Sequence, residues 1–256
     1  MCSVVLVEGE EFKRLLPEPK PEDYARLEET ILRGGNRAPI VVWGNIIIDG
    51  HSRYRIYRKH KLKFEIEHMR FSSREEAIRW VCCSQIGNRG LTPELFRYQI
   101  GTRYRVEKMM QSRGCRVASA AEIGKAYGVS TFAVRSYEKI AAAIDTIAEK
   151  DPRLSERYLS GGVRIAMDNL AVIAGMPKGQ IRTLTNFLIR HKKTACLSQD
   201  IMESLSDPDQ ELRAQGIKEL RRAAALCIRP SVKDMPKHDP DGEIAGLTLR
   251  NLKEIT

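Results

Sequence analysis

Residue types with chemistry to offer crowd into positions 45–59, NIIIDGHSRYRIYRK. A β-branched run ends in Asp49-Gly50-His51, and Arg53, Arg55, Arg58 and Lys59 follow within one short segment. A glycine at such a junction lets the backbone approach an anion closely, and the free N–H groups of a helix start point toward it. Arg53 and Arg55 would then neutralise the charge. The competing reading is a solvated basic helix face with no ligand. The stretch alone leaves both open.

A second constellation lies at 120–140, AAEIGKAYGVSTFAVRSYEKI. A helix-turn-helix needs a small residue in its first helix, a glycine at the turn and apolar positions that lock the two helices together. Gly124 is the small contact, Gly128 the turn, and Ile123, Tyr127, Val129, Val134 and Tyr137 fall at the buried positions. Ser130 caps the second helix. Ser130, Thr131, Phe132, Arg135, Ser136 and Lys139 are thereby placed on the outer face, from which a recognition helix reaches base edges and phosphates. Arg135 is the expected base contact, and Thr131, Ser136 and Lys139 the backbone contacts. Arg103, Arg105, Lys108, Arg113 and Arg116, just upstream, would extend the phosphate-binding surface. The bland alternative is a helical hairpin in a core.

The elements that must position these groups follow from periodicity and punctuation. VVLVE, PIVVW and NIIID read as strands, the last two joined by a hairpin at Trp43-Gly44-Asn45 with Gly44 and Asn45 tolerating positive φ. PEDYARLEETILRGG, between the first two strands, puts Tyr24, Leu27, Ile31 and Leu32 on one helical stripe, opened by Pro21 and followed by Gly34. SRYRIYRKH reads as helix, KFEIEHMRF as strand, and SSREEAIRWVCCSQIG as a serine-capped helix. From there helices dominate, broken near Pro152, Gly161-Gly162 and Pro177. The spacing predicts an α/β module over 1–90, a helical domain over 91–200, and a last helix with a partly flexible tail over 201–256. Leu212, Ile217, Leu220, Ala224 and Leu226 are the packing positions of that last helix.

Composition narrows the partners. The chain has 256 residues, 30% of them charged and 42% hydrophobic, which suits a soluble globular protein. A net charge of +10 biases it toward polyanions, nucleic acid before membrane. No apolar run approaches the roughly 20 residues that span a bilayer, and MCSVVLVEGEEFKR lacks a charged n-region followed by a long apolar h-region, so secretion is not expected. The six cysteines form no C-x-x-C pair, so reduced cytosolic thiols are expected and a structural zinc site is not.

PIVVWGNIIIDGHSRYRIYRKHKLKFEI, then SQIGNRGLTPELFRYQIGTRYRVEK, then the helix-turn-helix pattern, resembles the ParB family of partition proteins, closest to those of plasmids and mobile elements. The resemblance runs over about 1–190 and implies an α+β ParB/sulfiredoxin-like domain followed by an all-α helix-turn-helix domain. In that family a G-E-R-R-x-R box holds the phosphates of CTP, and a downstream acidic-amide pair helps hold a metal. Gly50, Arg53 and Arg55 match the box, while His51 and Ser52 replace its Glu and first Arg. Ser84-Gln85 and Asn88-Arg89 stand where the downstream residues would be. The resemblance thus implies a nucleotide site of Gly50, His51, Ser52, Arg53, Arg55, Gln85, Asn88 and Arg89, taking CTP with Mg²⁺, with no catalytic residues and at most a weak CTPase. It also implies double-stranded DNA as partner, a homodimer, a partition ATPase and a cytoplasmic, nucleoid-associated location. Loss of the carboxylate removes a hard-cation ligand and argues against hydrolysis. Sulfiredoxin and a free-serine kinase share the N-terminal fold. The turn lacks the sulfiredoxin thiol, and the kinase reading would use Asp49 as base. A nuclease would need a carboxylate cluster that the sequence does not offer.

Overall fold

Ile40–Trp43 and Ile46–Asp49 are apolar at nearly every position, a composition suited to strands buried on both faces. In the computed structural model, which describes residues 6–35, 38–86 and 90–206, they form the centre of a sheet. Strand β1 (Val7–Glu8) runs parallel to β3 (Ile46–Asp49), which is antiparallel to β2 (Ile40–Trp43). β2 in turn runs parallel to β4 (Ile66–Met69), giving the order β1-β3-β2-β4. Period-two alternation then sorts the side chains. Ile40, Val42 and Ile47 join Leu6, Ile31, Ile56 and Tyr57 on one face. Val41 and Ile48 join Phe12, Leu15 and the later helices on the other. At the hairpin Gly44 takes φ +61°, but Asn45 stays out of the left-handed region, which costs any residue with a Cβ. A register shift between Val41 and Val42 adds the local twist that a bulge brings.

Helix α1 (Glu10–Arg14) follows β1 and drives Phe12 into the larger core. Helix α2 (Pro21–Leu32) turns Tyr24, Leu27 and Ile31 inward. Leu32, expected on that stripe, is instead 51% exposed, because it lies roughly 100° round the helix from Ile31. Helix α3 (His51–Lys59) starts directly after Gly50, and α4 (Arg74–Ser84) opens on Ser73, whose hydroxyl accepts the Glu76 N–H at 3.2 Å.

The chain continues as α5 (Pro93–Gln111), α6 (Ala120–Tyr127), α7 (Thr131–Lys150), α8 (Pro152–Leu159), α9 (Met167–Gly175), α10 (Lys178–Arg190) and α11 (Ser198–Leu205), with breaks at the prolines and glycines that predict them. The all-α second half expected from sequence is corrected in one respect. β5 (Arg164–Ile165) pairs in parallel with β6 (Ala195–Cys196), and two-residue strands are too short to leave a periodic signal.

Packing runs across the change of character near Gly90. Val41 and Ile48 of the sheet, Val81 of α4, Leu95 and Tyr98 of α5, and Ile140, Ala141 and Ile144 of α7 belong to one cluster, and Met1–Leu205 form one compact unit. A polar clamp adds to it. Asp145 of α7 accepts from Arg14 Nη1 of α1 at 2.9 Å and from the Tyr98 hydroxyl at 2.7 Å, and also pairs with Arg105. Burial pushes the Tyr98 hydroxyl up, and the Asp145 charge adds to the shift. α5 and α7 meet at Gly101, where a Cβ would lie 2.0 Å from the Tyr137 carbonyl oxygen. The helix expected over 207–228 and the tail after it lie outside the described residues.

Candidate functional site

Gly50 ends β3 and starts α3 with φ +90°. A Cβ there would sit 2.9 Å from Arg53 Nη2 and 3.1 Å from Ile40 Cδ1, so backbone angle and space both select glycine. No side chain caps α3, and the amides of His51, Ser52 and Arg53 have no partner among the described residues. These residues border a cleft of about 290 Å³. Six residues selected from the sequence, Gly50, His51, Ser52, Arg53, Arg55 and Gln85, line it together. Asn88 and Arg89 lie outside the described residues.

The cleft's charges are balanced internally. Arg55 donates to Glu8 through Nε at 3.4 Å and Nη2 at 3.1 Å, and to Glu18 through Nη1 at 3.2 Å. Arg53 Nη2 reaches the Pro39 carbonyl at 3.3 Å and Asp49 at 3.4 Å, which leaves its buried Nε without a partner among the described residues. His51 is only 5% exposed, and neither ring nitrogen has a partner among the described residues. Burial is the main cause that lowers its pKa to about 4, so the ring is neutral at neutral pH. Burial works to raise the Glu8 carboxyl, but Arg55 outweighs it and holds that group below the usual carboxylate range.

This donor set fits a phosphate-like anion: a glycine cradle, free helix-start amides, an orphaned imidazole and an orphaned guanidinium nitrogen. Among the described residues it supplies no all-protein cage for a divalent cation, so Mg²⁺ would be held chiefly through a nucleotide's own phosphates. The carboxylates at the rim, Asp49 and Glu18, are each paired with an arginine, and among the described residues no group of three or more His, Cys, Asp or Glu could hold a metal. The basic stretch itself divides. Arg53 and Arg55 border the cleft, whereas Arg58 and Lys59 lie on the exposed face, Lys59 bound to Glu28 at 2.7 Å. Cys82 is buried, which pushes its thiol up, and neither it nor half-buried Cys83 lines the cleft.

The second constellation is built on α6 and α7. Gly128 ends α6 with φ +70° and ψ +30°, and the Ser130 hydroxyl accepts the Ala133 N–H at 3.1 Å to start α7. A Cβ on Gly124 would lie 2.6 Å from the Val129 carbonyl oxygen, which is why a small residue stands there. Ile123 and Val134 are fully buried against Ile100, with Tyr127, Val129 and Tyr137 packed around them. That packing leaves Phe132, Arg135, Ser136 and Lys139 on one outer face, at spacing i, i+3, i+4, i+7.

Arg135 and Lys139 are exposed, and neither has an ion-pair or hydrogen-bond partner among the described residues. Lys125 of α6, not selected from the sequence, is equally exposed and unpaired among them. It lies two residues from the buried Ile123, on the opposite side of the helix, a position that periodicity alone could have marked. Phe132 is 82% exposed. Thr131 is half-buried, Ser130 is exposed with its hydroxyl committed to the cap, and the Ser136 hydroxyl lies 3.2 Å from Met167 Sδ.

Most of the upstream cations do not extend this face. Arg105 belongs to the Asp145 clamp, Lys108 binds Glu138 at 2.7 Å, and Arg113 makes two bonds to Glu75 at 3.0 and 2.9 Å. Arg103 lies over the Tyr127 ring at 5.4 Å, with Glu107 3.7 Å from its Nε. Arg103, Arg105 and Lys108 tie α5 to its neighbours and Arg113 ties the turn after it to α4, and of the five only Arg116 is exposed without such a bond among the described residues.

No family model matches the chain, and no curated protein does. Among solved structures it is similar to the C2221 form of a Pnob8-like ParB-N domain, at 16% identity and a TM-score of 0.40 over 73% of this chain and 78% of that one. It is also similar to the pNOB8-like ParB N-domain, at 15% identity and a TM-score of 0.38 over 73% of each chain. Likeness at this level carries no weight on function. The side chains must.

Proposed function

We propose that this chain is a DNA-binding protein of ParB type, acting in plasmid partition or chromosome segregation. In this reading α6 and α7 form a helix-turn-helix and the leading half of α7 enters the major groove. A homodimer would bind double-stranded DNA in the cytoplasm, on the nucleoid, with a partition ATPase as further partner. Among the described residues no helix is long and apolar enough to cross a membrane. The carrying observation is the pair Arg135 and Lys139, exposed and unpaired on the first turns after a tight glycine turn. Cations left unpaired on a rigid helix gain free energy when a polyanion meets them, because condensed counterions leave.

The test is Arg135→Ala with Lys139→Ala, measured by fluorescence anisotropy on duplex DNA across a salt series. The double variant should bind more weakly, and its slope of log affinity against log salt should be shallower by about 1.8, that is about 0.9 for each phosphate no longer neutralised. Unchanged affinity and slope would remove the recognition-helix assignment.

The cleft at Gly50 is the second part of the proposal. It takes the phosphates of a nucleotide, CTP by the resemblance, as a regulatory ligand. The orphaned His51 ring and the uncapped start of α3 support it. Titration with the four nucleoside triphosphates, with and without Mg²⁺, tests it. Saturable binding of one of them, independent of Mg²⁺ and abolished in Arg53→Ala, is expected. Absence of saturable binding by all four would reduce the cleft to a structural feature.

A further inference from the structure

Phe132 is the second residue of α7 and, at 82%, the most exposed large apolar side chain among the described residues. A lone exposed apolar residue is ordinary on a protein surface. This one, however, shares its helix face with unpaired Arg135 at i+3 and Lys139 at i+7. An apolar protein partner seated on the ring would bury those two charges without counter-ions, which is costly. A polyanion with an apolar group at the bottom of its groove satisfies ring and cations together. The major groove of DNA offers one such group, the C5 methyl of thymine, and the first residues of a recognition helix are those that reach base edges.

We propose that Phe132 packs on a thymine methyl and so fixes a T·A pair in the sequence this protein recognises. The inference rests on the DNA-binding reading above and names the base that the exposed ring selects.

The test uses the full chain to enrich duplexes from a randomised pool. Each thymine of the enriched duplex is then replaced singly by deoxyuridine, which removes the methyl and nothing else. The unmodified protein should lose about fourfold in affinity at one or two positions, the weight of one buried methyl-sized group. Phe132→Ala should bind the two versions of those positions alike, and Phe132→Leu should keep part of the preference. Arg135→Ala should retain the methyl preference while binding more weakly overall. Equal affinity for thymine and deoxyuridine at every position in the unmodified protein overturns the inference, and so does a methyl preference that survives in Phe132→Ala. A change of oligomeric state in Phe132→Ala, without any methyl preference, assigns the ring to a second copy of the chain and also overturns it. The two levels separate cleanly. Failure to bind any duplex removes the DNA reading and this inference with it, whereas duplex binding with no methyl dependence removes this inference alone.

Discussion

Gly101→Ala is a severe perturbation for the addition of one methyl group. A Cβ at that position would stand 2.0 Å from the Tyr137 carbonyl oxygen and 2.4 Å from its carbon, against the 3.4–4 Å of ordinary packing. The neighbour is backbone in the middle of α7, so no rotamer change relieves the clash. α5 and α7 would have to separate by about 1.4 Å, the difference between 3.4 and 2.0 Å, and every side chain packed between them would forfeit part of its dispersion attraction. Overpacking of this kind costs about 3 kcal/mol or more, the upper end of the usual range. For a domain of this size that lowers Tm by at least about 6 °C. The same protein supplies a control of opposite sign. Gly179, in the first turn of α10, is exposed and has nothing within 4 Å of its Cβ position. Gly179→Ala should therefore stabilise by about 0.5–1 kcal/mol, through the reduced freedom of the unfolded chain. Thermal unfolding followed by circular dichroism measures both. If Gly101→Ala melts within about 1 °C of the unmodified protein, α5 is not the platform that α7 rests on.

Two further outcomes follow from polar groups held inside the packing. Asp145→Ala removes the acceptor shared by Arg14, Tyr98 and Arg105. Because the Asp145 side chain retains 24% exposure, the cost should be about 2 kcal/mol, below that of a fully buried pair, read as a lower urea midpoint with unchanged m-value. His51 makes the fold sensitive to acid. Its folded pKa is depressed from 6.5 to about 4, so below 6.5 the unfolded chain takes a proton that the folded one refuses, and stability falls as pH drops from 6.5 toward 4. At pH 5 this one residue should account for about 2 kcal/mol of diminished stability. His51→Asn should therefore lose less stability between pH 7 and pH 5 than the unmodified protein does. Glu8, held below its ordinary 4.5, loses its contribution only at lower pH and does not obscure that window. Equal losses in the two proteins would contradict the burial of a neutral ring.

What could be seen in the sequence was whatever acts within a few residues. Gly50, Gly128 and the Ser130 cap are local conformational demands, and the breaks at Pro152 and Pro177 follow from a missing N–H and a fixed φ. The six residues that gather at the cleft belong, save Gln85, to one strand-to-helix junction, which is why they could be selected together. The choice of partner for each cation could not be seen, because it is made at long range. Arg55 meets Glu8 across 47 residues, Arg105 meets Asp145 across 40, and Arg113 meets Glu75 across 38. In sequence these arginines look as available as Arg135. The difference between them is thermodynamic. A cation already paired within the fold offers a phosphate only the difference between two partners, and exposed pairs gain little from the exchange. An unpaired, hydrated cation offers the whole gain of counterion release. Subtracting the paired cations of α5 and of the turn after it leaves Arg116 just upstream and Lys125, Arg135 and Lys139 on α6 and α7. A net charge of +10 favours a polyanion, and in the proposed reading the three cations of α6 and α7, set beside a tight glycine turn, are where it would meet the fold.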